Sequence, residues 1–180
     1  MFKDIFTPKK GKFVAIGLVF LMLLTFLNVY VSSLTVKQKA TATPSPTAIL
    51  SLSPEQAYLV KDQIFSVNII FNPGQESVDA VDAVLVYDPN LLEVLGLIPS
   101  ELFASYPVQD FGEGKIQLSA FAVGTTGNPK PVTESGTLGT ISLKAKAVGI
   151  AKLEFSSDSI VASKGANVLE ETSGGVYTIK

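Results

Sequence analysis

The sequence contains no cysteine, no histidine and no tryptophan. Without cysteine there can be no disulfide, no thiolate metal site and no lipid chain carried on a cysteine. Without histidine the commonest general base and the commonest metal ligand are missing. Without tryptophan the ring that most often forms a sugar-binding platform is missing. Charge is scarce and nearly balanced, with 14 Lys and Arg against 16 Asp and Glu in 180 residues and a net charge of −2. Nucleic-acid binding needs a basic patch or stripe, so no nucleic-acid partner is expected. No internal repeat is visible, and the length fits one anchor plus one domain.

What is present divides the chain into four parts. Residues 13–31, FVAIGLVFLMLLTFLNVYV, carry no charge. A helix of that length spans about 28 Å, close to the hydrocarbon thickness of a bilayer. Lys3, Lys9, Lys10 and Lys12 precede the run, and Lys37 and Lys39 follow it. That asymmetry predicts a single transmembrane helix with residues 1–12 in the cytoplasm and the rest of the chain outside the cell membrane. The competing reading is a cleaved signal peptide. Its apolar core is shorter, about 7–15 residues, and Ala40-Thr41-Ala42 has the form of a cleavage site but lies far from the run. Residues 32–48 are rich in Ser, Thr, Ala and Pro and read as a linker. Its composition allows O-glycosylation at Thr41, Thr43, Ser45 and Thr47.

Residues 49–180 show period-2 alternation in short runs punctuated by Gly and Pro. The expected strands are Leu50–Ser53, Ala57–Val60, Ile64–Phe71, Val78–Tyr87, Leu91–Leu97, Lys115–Ala122, Gly136–Ala147, Ala151–Phe155, Ser159–Ser163 and Val176–Ile179. They predict an all-β fold, a jelly-roll sandwich of two antiparallel sheets. Alternation assigns Phe65, Val67, Ile69, Phe71, Val81, Ala83, Leu85, Tyr87, Leu138, Ile141 and Leu143 to the core. Ala80, Asp82, Val84 and Val86 then face the other way. Pro99–Gly114 breaks the alternation, and Ser100–Tyr106 reads as a short helix or a loop that packs Leu102 and Phe103 on a sandwich edge. A domain of about 130 residues buries roughly two-thirds of its unfolded surface and should fold without metal or disulfide.

The segment Val78–Leu97, VDAVDAVLVYDPNLLEVLGL, is a strand, an Asp-Pro-Asn turn and a second apolar strand. A strand ending in Tyr-Asp-Pro-Asn and followed by Leu-Leu-Glu-Val resembles the cohesin family of β-sandwich domains. Further marks are Val67–Phe71 before an Asn-Pro-Gly turn, Lys115–Ala122, Gly136–Lys146 and the closing Gly174–Ile179. The resemblance extends over about Leu50–Ile179. Cohesins hold dockerin modules through one flat sheet face, so it implies a non-catalytic binding module whose partner is a dockerin-bearing or other surface protein. Carried over by position, that face would hold Ala80, Asp82 and Val84 on one strand and Phe121 and Val123 on its neighbour. Asp82 falls where type I cohesins often place a contacting acid. Ala80 and Val123 replace more polar residues, which makes this face less polar. The other reading of Asp82 is a solvated strand carboxylate.

Other chemistry has thinner support. Catalysis would have to use paired carboxylates, drawn from Asp79, Asp82, Asp88, Asp110, Glu113 and Asp158. Asp79 and Asp82 fall on opposite faces of a strand, and Asp88 caps a turn, so no enzyme is expected. The acids that could bind calcium, Asp110, Glu113, Asp158, Glu170 and Glu171, are scattered without an Asp-x-Asp-x-Asp-Gly loop, and no metal or cofactor is expected. The alternative function is a carbohydrate-binding module recognising a polysaccharide. Tyr87 and Tyr177 end strands and read as core, leaving Tyr58 and Tyr106 as a thin platform.

Overall fold

The computed structural model describes residues 46–123, 127 and 130–180. The apolar run 13–31 and nearly all of the linker lie outside the described residues. Among those described, no helix is long and apolar enough to cross a membrane.

Thirteen strands follow in chain order: β1 (Ala48–Ser53), β2 (Gln56–Leu59), β3 (Ile64–Asn72), β4 (Ala80–Tyr87), β5 (Leu92–Pro99), β6 (Ser105–Gly112), β7 (Lys115–Phe121), β8 (Gly136–Ala145), β9 (Gly149–Phe155), β10 (Ile160–Ser163), β11 (Ala166–Asn167), β12 (Leu169–Ser173) and β13 (Gly175–Ile179). They form a five-stranded sheet, β12-β1-β3-β8-β5, and an eight-stranded sheet. In the larger sheet β6 pairs with β7 and β7 with β4. The other edge of β4 is shared, residues 80–82 pairing with β10 and residues 85–87 with β9. β9 continues to β13 and β2, and β10 to β11.

The inward faces of the two sheets make one core, as alternation dictates. Val67, Ile69 and Phe71 of β3, Val81, Ala83 and Leu85 of β4, and Leu138, Ile141 and Leu143 of β8 are buried. Phe65 and Tyr87, also expected inside, are only partly buried and pack against the core from its rim. The inward step from Leu138 to Ile141 is three residues because the β3–β8 register slips between Ile69 and Ile70.

Three expectations are corrected. The sheets are not purely antiparallel, because β1 pairs with β12 and β2 with β13 in parallel. The cause is topological. The chain leaves the smaller sheet at Pro54 to enter the larger, and its C-terminal segment makes the same change at Gly174, so the two segments run side by side in both sheets. Second, of the two readings of Ser100–Tyr106 the structure shows the loop, with Leu102 and Phe103 packed on the core, and what was not expected is the strand that follows it. Residues 101–104 form bends that bury Phe103, and β6 begins at Ser105. β6 escaped the alternation because it is an edge strand with Pro107 at a register slip between Ser105 and Val108. Proline is tolerated there, where no ladder donor is needed. Third, β1 begins at Ala48, inside the stretch read as linker, and Thr47 already donates its N–H to Val168 O (3.0 Å).

Candidate protein-binding face

The outward face of the larger sheet is built by register. Directly opposite residues of paired strands share a face. Phe121 stands opposite Ala80, Ser119 opposite Asp82 and Gln117 opposite Val84. Val108 of β6 lies beyond Ser119, and Ile160 of β10 lies beyond Asp82. A polar row, Ser119–Asp82–Gln117, is therefore framed by apolar side chains. Phe121 is 44 % exposed, Val123 43 % and Ile160 45 %. The described residues offer this ring and these methyls to solvent on the outward side of the sheet.

Asp82 is half-buried, and its carboxylate is held by its own sheet. Ser119 Oγ donates to Asp82 Oδ1 at 2.9 Å. Gln117 Nε2 donates to both carboxylate oxygens at 3.1 Å. Neither side chain was singled out from sequence, although alternation in Lys115–Ala122 puts Gln117, Ser119 and Phe121 on one side of that strand. Ile160 lay within an expected strand but was not joined to this face. Val108 could not be found, because β6 itself was not visible.

Of the five residues placed on this face by resemblance, Ala80, Asp82 and Phe121 stand on it in register with accessible surface, and Val123 is exposed two residues past the end of β7. Ala80 and Asp82 are half-buried, and Phe121 and Val123 are exposed. Val84 does not offer surface. It points outward in register yet is only 2 % exposed. Its flank is closed where β4 changes partner between β10 and β9. There Ser159, itself buried, takes the place of a strand. Its Oγ accepts from Val84 N and donates to Val84 O, both at 3.1 Å, and Ser156 N donates to the same carbonyl at 2.7 Å. On the other side Gln117 sends its amide diagonally to Asp82 and so lies alongside Val84.

The remaining candidates disperse. Asp79 accepts from Lys164 N (2.8 Å), and Asp88 accepts from the N–H and the side-chain amide of Asn90 (2.8 and 2.9 Å). Both carboxylates serve turns. Among the described residues no three Asp or Glu side chains gather into a group that could hold a metal ion. The two tyrosines of the sugar-platform alternative stand on opposite edges of the larger sheet, Tyr58 on β2 and Tyr106 on β6. Tyr58 is 81 % exposed with Lys180 Nζ 5.4 Å from its ring centroid. Tyr106 packs against the core rim and its hydroxyl meets Ser100 Oγ at 3.0 Å. Four strands lie between β6 and β2, so the two rings cannot form one platform.

Residues 60–177, well over half of the chain, match the cohesin domain. The chain belongs to the cohesin family. Solved cohesins share its fold. CaCohA2 from Clostridium acetobutylicum is 17 % identical at a TM-score of 0.63, with 76 % of this chain and 92 % of that one covered. The sixth cohesin of scaffoldin B from Acetivibrio cellulolyticus, solved in complex with a mutant Cel5 dockerin, is 13 % identical at 0.62, covering 74 % and 99 %. A non-cellulosomal cohesin from the archaeon Archaeoglobus fulgidus is 14 % identical at 0.59, covering 74 % and 91 %. At such identities the likeness is one of fold. No curated protein matches the sequence.

Proposed function

We propose that this cohesin is a non-catalytic binding module that holds a dockerin-bearing protein on the outward face of its larger sheet. A helix over residues 13–31 would keep it at the cell surface, with the sandwich outside. The observation that carries the reading is the face itself. Exposed Phe121, Val123, Ile160 and Val108 surround a single fixed carboxylate, Asp82. A desolvating apolar ring around a polar centre suits a protein surface, whereas a sugar needs a ring platform with several donors and acceptors. The dockerin complex of the Acetivibrio cohesin supports the choice of partner class.

The test is capture from the organism's own secreted proteins, with wild type compared with the double variant Asp82→Lys, Phe121→Ala. Wild type is expected to retain proteins carrying paired Asp-x-Asp-x-Asp calcium loops. The double variant should lose them by at least tenfold while melting within a few degrees of wild type, because a reversed charge inside a desolvated contact costs several kcal/mol. Equal retention by both would move the binding surface elsewhere. Retention of polysaccharide and of no protein would favour the carbohydrate alternative.

A further inference from the structure

We infer that Gln117 and Ser119 are positioning residues of this face, fixing the Asp82 carboxylate so that Oδ2 alone is left to accept a donor from the partner. The inference rests on the proposed reading of the face. A carboxylate offers about four acceptor sites, two on each oxygen. Oδ1 receives Ser119 Oγ at 2.9 Å and Gln117 Nε2 at 3.1 Å, which fills it. Among the described residues Oδ2 receives only Gln117 Nε2, at 3.1 Å, and keeps one site. Asp82 would otherwise rotate about two side-chain bonds. Two donors from successive outward positions of β7 instead grip it from one side, one directly opposite and one diagonal. Its other cross-strand neighbour is Ile160, which offers no donor. No lysine of the described residues pairs with it.

Such a centre is selective in a way that a solvated aspartate is not. The open acceptor sits between Phe121, Ile160 and Val108, so a partner segment that covers it must bring one donor, a hydroxyl, amide or ammonium, among aliphatic or aromatic side chains. A partner with an apolar group at that point would strand the acceptor, and one with a carboxylate would be repelled. Because the carboxylate is already ordered, association loses less side-chain freedom.

The experiment uses the full chain and, as probe, a calcium-loaded dockerin module from the organism's secreted proteins. Ser119→Ala and Gln117→Leu should each raise Kd by about five- to tenfold, the effect of losing one hydrogen bond. Ser119→Thr, which keeps the hydroxyl, should restore binding. In an Asp82→Ala background neither substitution should have its full effect, since the group they position is gone. The proposal is overturned if Ser119→Ala and Gln117→Leu leave Kd unchanged, or if their losses persist undiminished in that background. A partner-free measurement separates this from the reading beneath it. The Gln117 side-chain amide protons, on a nitrogen held at 3.1 Å from both carboxylate oxygens, should exchange with water slowly in wild type and faster in Asp82→Ala. If they do not, the grip is absent whatever the chain binds. If they do, while Asp82→Ala binds the dockerin as wild type does or wild type binds none, the grip exists and the face reading is what fails.

Discussion

Tyr177 shows how one side chain joins the two layers. It is fully buried on β13, its ring lies 5.2 Å from that of Phe65, and its hydroxyl donates to Pro54 O at 3.0 Å. Burial pushes the phenol from 10.0 up to about 12. The folded protein therefore keeps a proton that the unfolded chain releases above pH 10. The stabilisation linked to that proton is complete below pH 10 and is lost as pH rises through 12. Denaturant titrations should show wild type losing about 3 kcal/mol more than Tyr177→Phe as pH rises from 10 to beyond 12, from a two-unit shift at 1.36 kcal/mol per unit. Parallel curves would mean that the hydroxyl does not sense its surroundings. Ser159 is a second such residue. In Ser159→Ala the buried Val84 N–H loses its acceptor while Val84 O keeps Ser156 N. The expected loss is about 1–3 kcal/mol in urea unfolding, the cost of one unsatisfied buried donor. A loss below about 0.5 kcal/mol, the range of ordinary surface changes, would mean that water reaches the gap between β9 and β10.

At the scale of elements, β8 and β5 contain two glycines with opposite roles. A Cβ on Gly139 would meet Leu118 Cδ2 at 2.7 Å and Ile98 O at 3.1 Å. Leu118 belongs to the facing sheet and is fully buried, so it has no free direction in which to retreat. Gly96 on β5 has nothing within 4 Å of that position. Gly139→Ala should destabilise by about 1–3 kcal/mol through overpacking, while Gly96→Ala should be neutral or stabilise by up to about 1 kcal/mol through the unfolded chain. Thermal melts of the two variants decide it. A Gly139→Ala protein that melts with wild type would show that the sheets can part at no cost. The β6–β7 hairpin makes the complementary point. Its turn residues Glu113 and Gly114 have φ of 50° and 85°, the geometry of a two-residue turn whose twist matches its strands. Glutamate is a poor sequence signal for that conformation, which helps explain why the hairpin was not legible beforehand.

At the scale of the whole molecule, the expected topology is one spanning helix with residues 1–12 inside and the sandwich outside. The apolar run 13–31 and the lysines before it motivate this. Protease added to intact cells should release a fragment of domain size that still melts cooperatively, because the sandwich carries its own core. A mature N-terminus at Thr43 on the native protein would instead mean cleavage after Ala42 and no anchor.

Local pattern alone fixed the inward rows. Val67, Ile69 and Phe71, or Val81, Ala83 and Leu85, recur at period 2, and Asn68 and Asp82 between them set which side of each strand faces solvent. The Asp-Pro-Asn and Asn-Pro-Gly turns were equally local, since Asp88 and Asn72 accept from N–H groups two residues ahead. Missing histidine and cysteine narrowed the chemistry before any fold was known. What the sequence could not decide depends on partners far along the chain. β12, rich in exposed Glu and Thr, is a strand because β1 lies beside it. Val84 is buried because Ser159, 75 residues away, fills a gap between two other strands. Asp82 became the fixed centre of a face only when β7 brought Gln117 and Ser119 into register with it. Alternation says which side of a strand a residue is on, but the strand next to it is set by chain topology and packing, and those are properties of the whole fold.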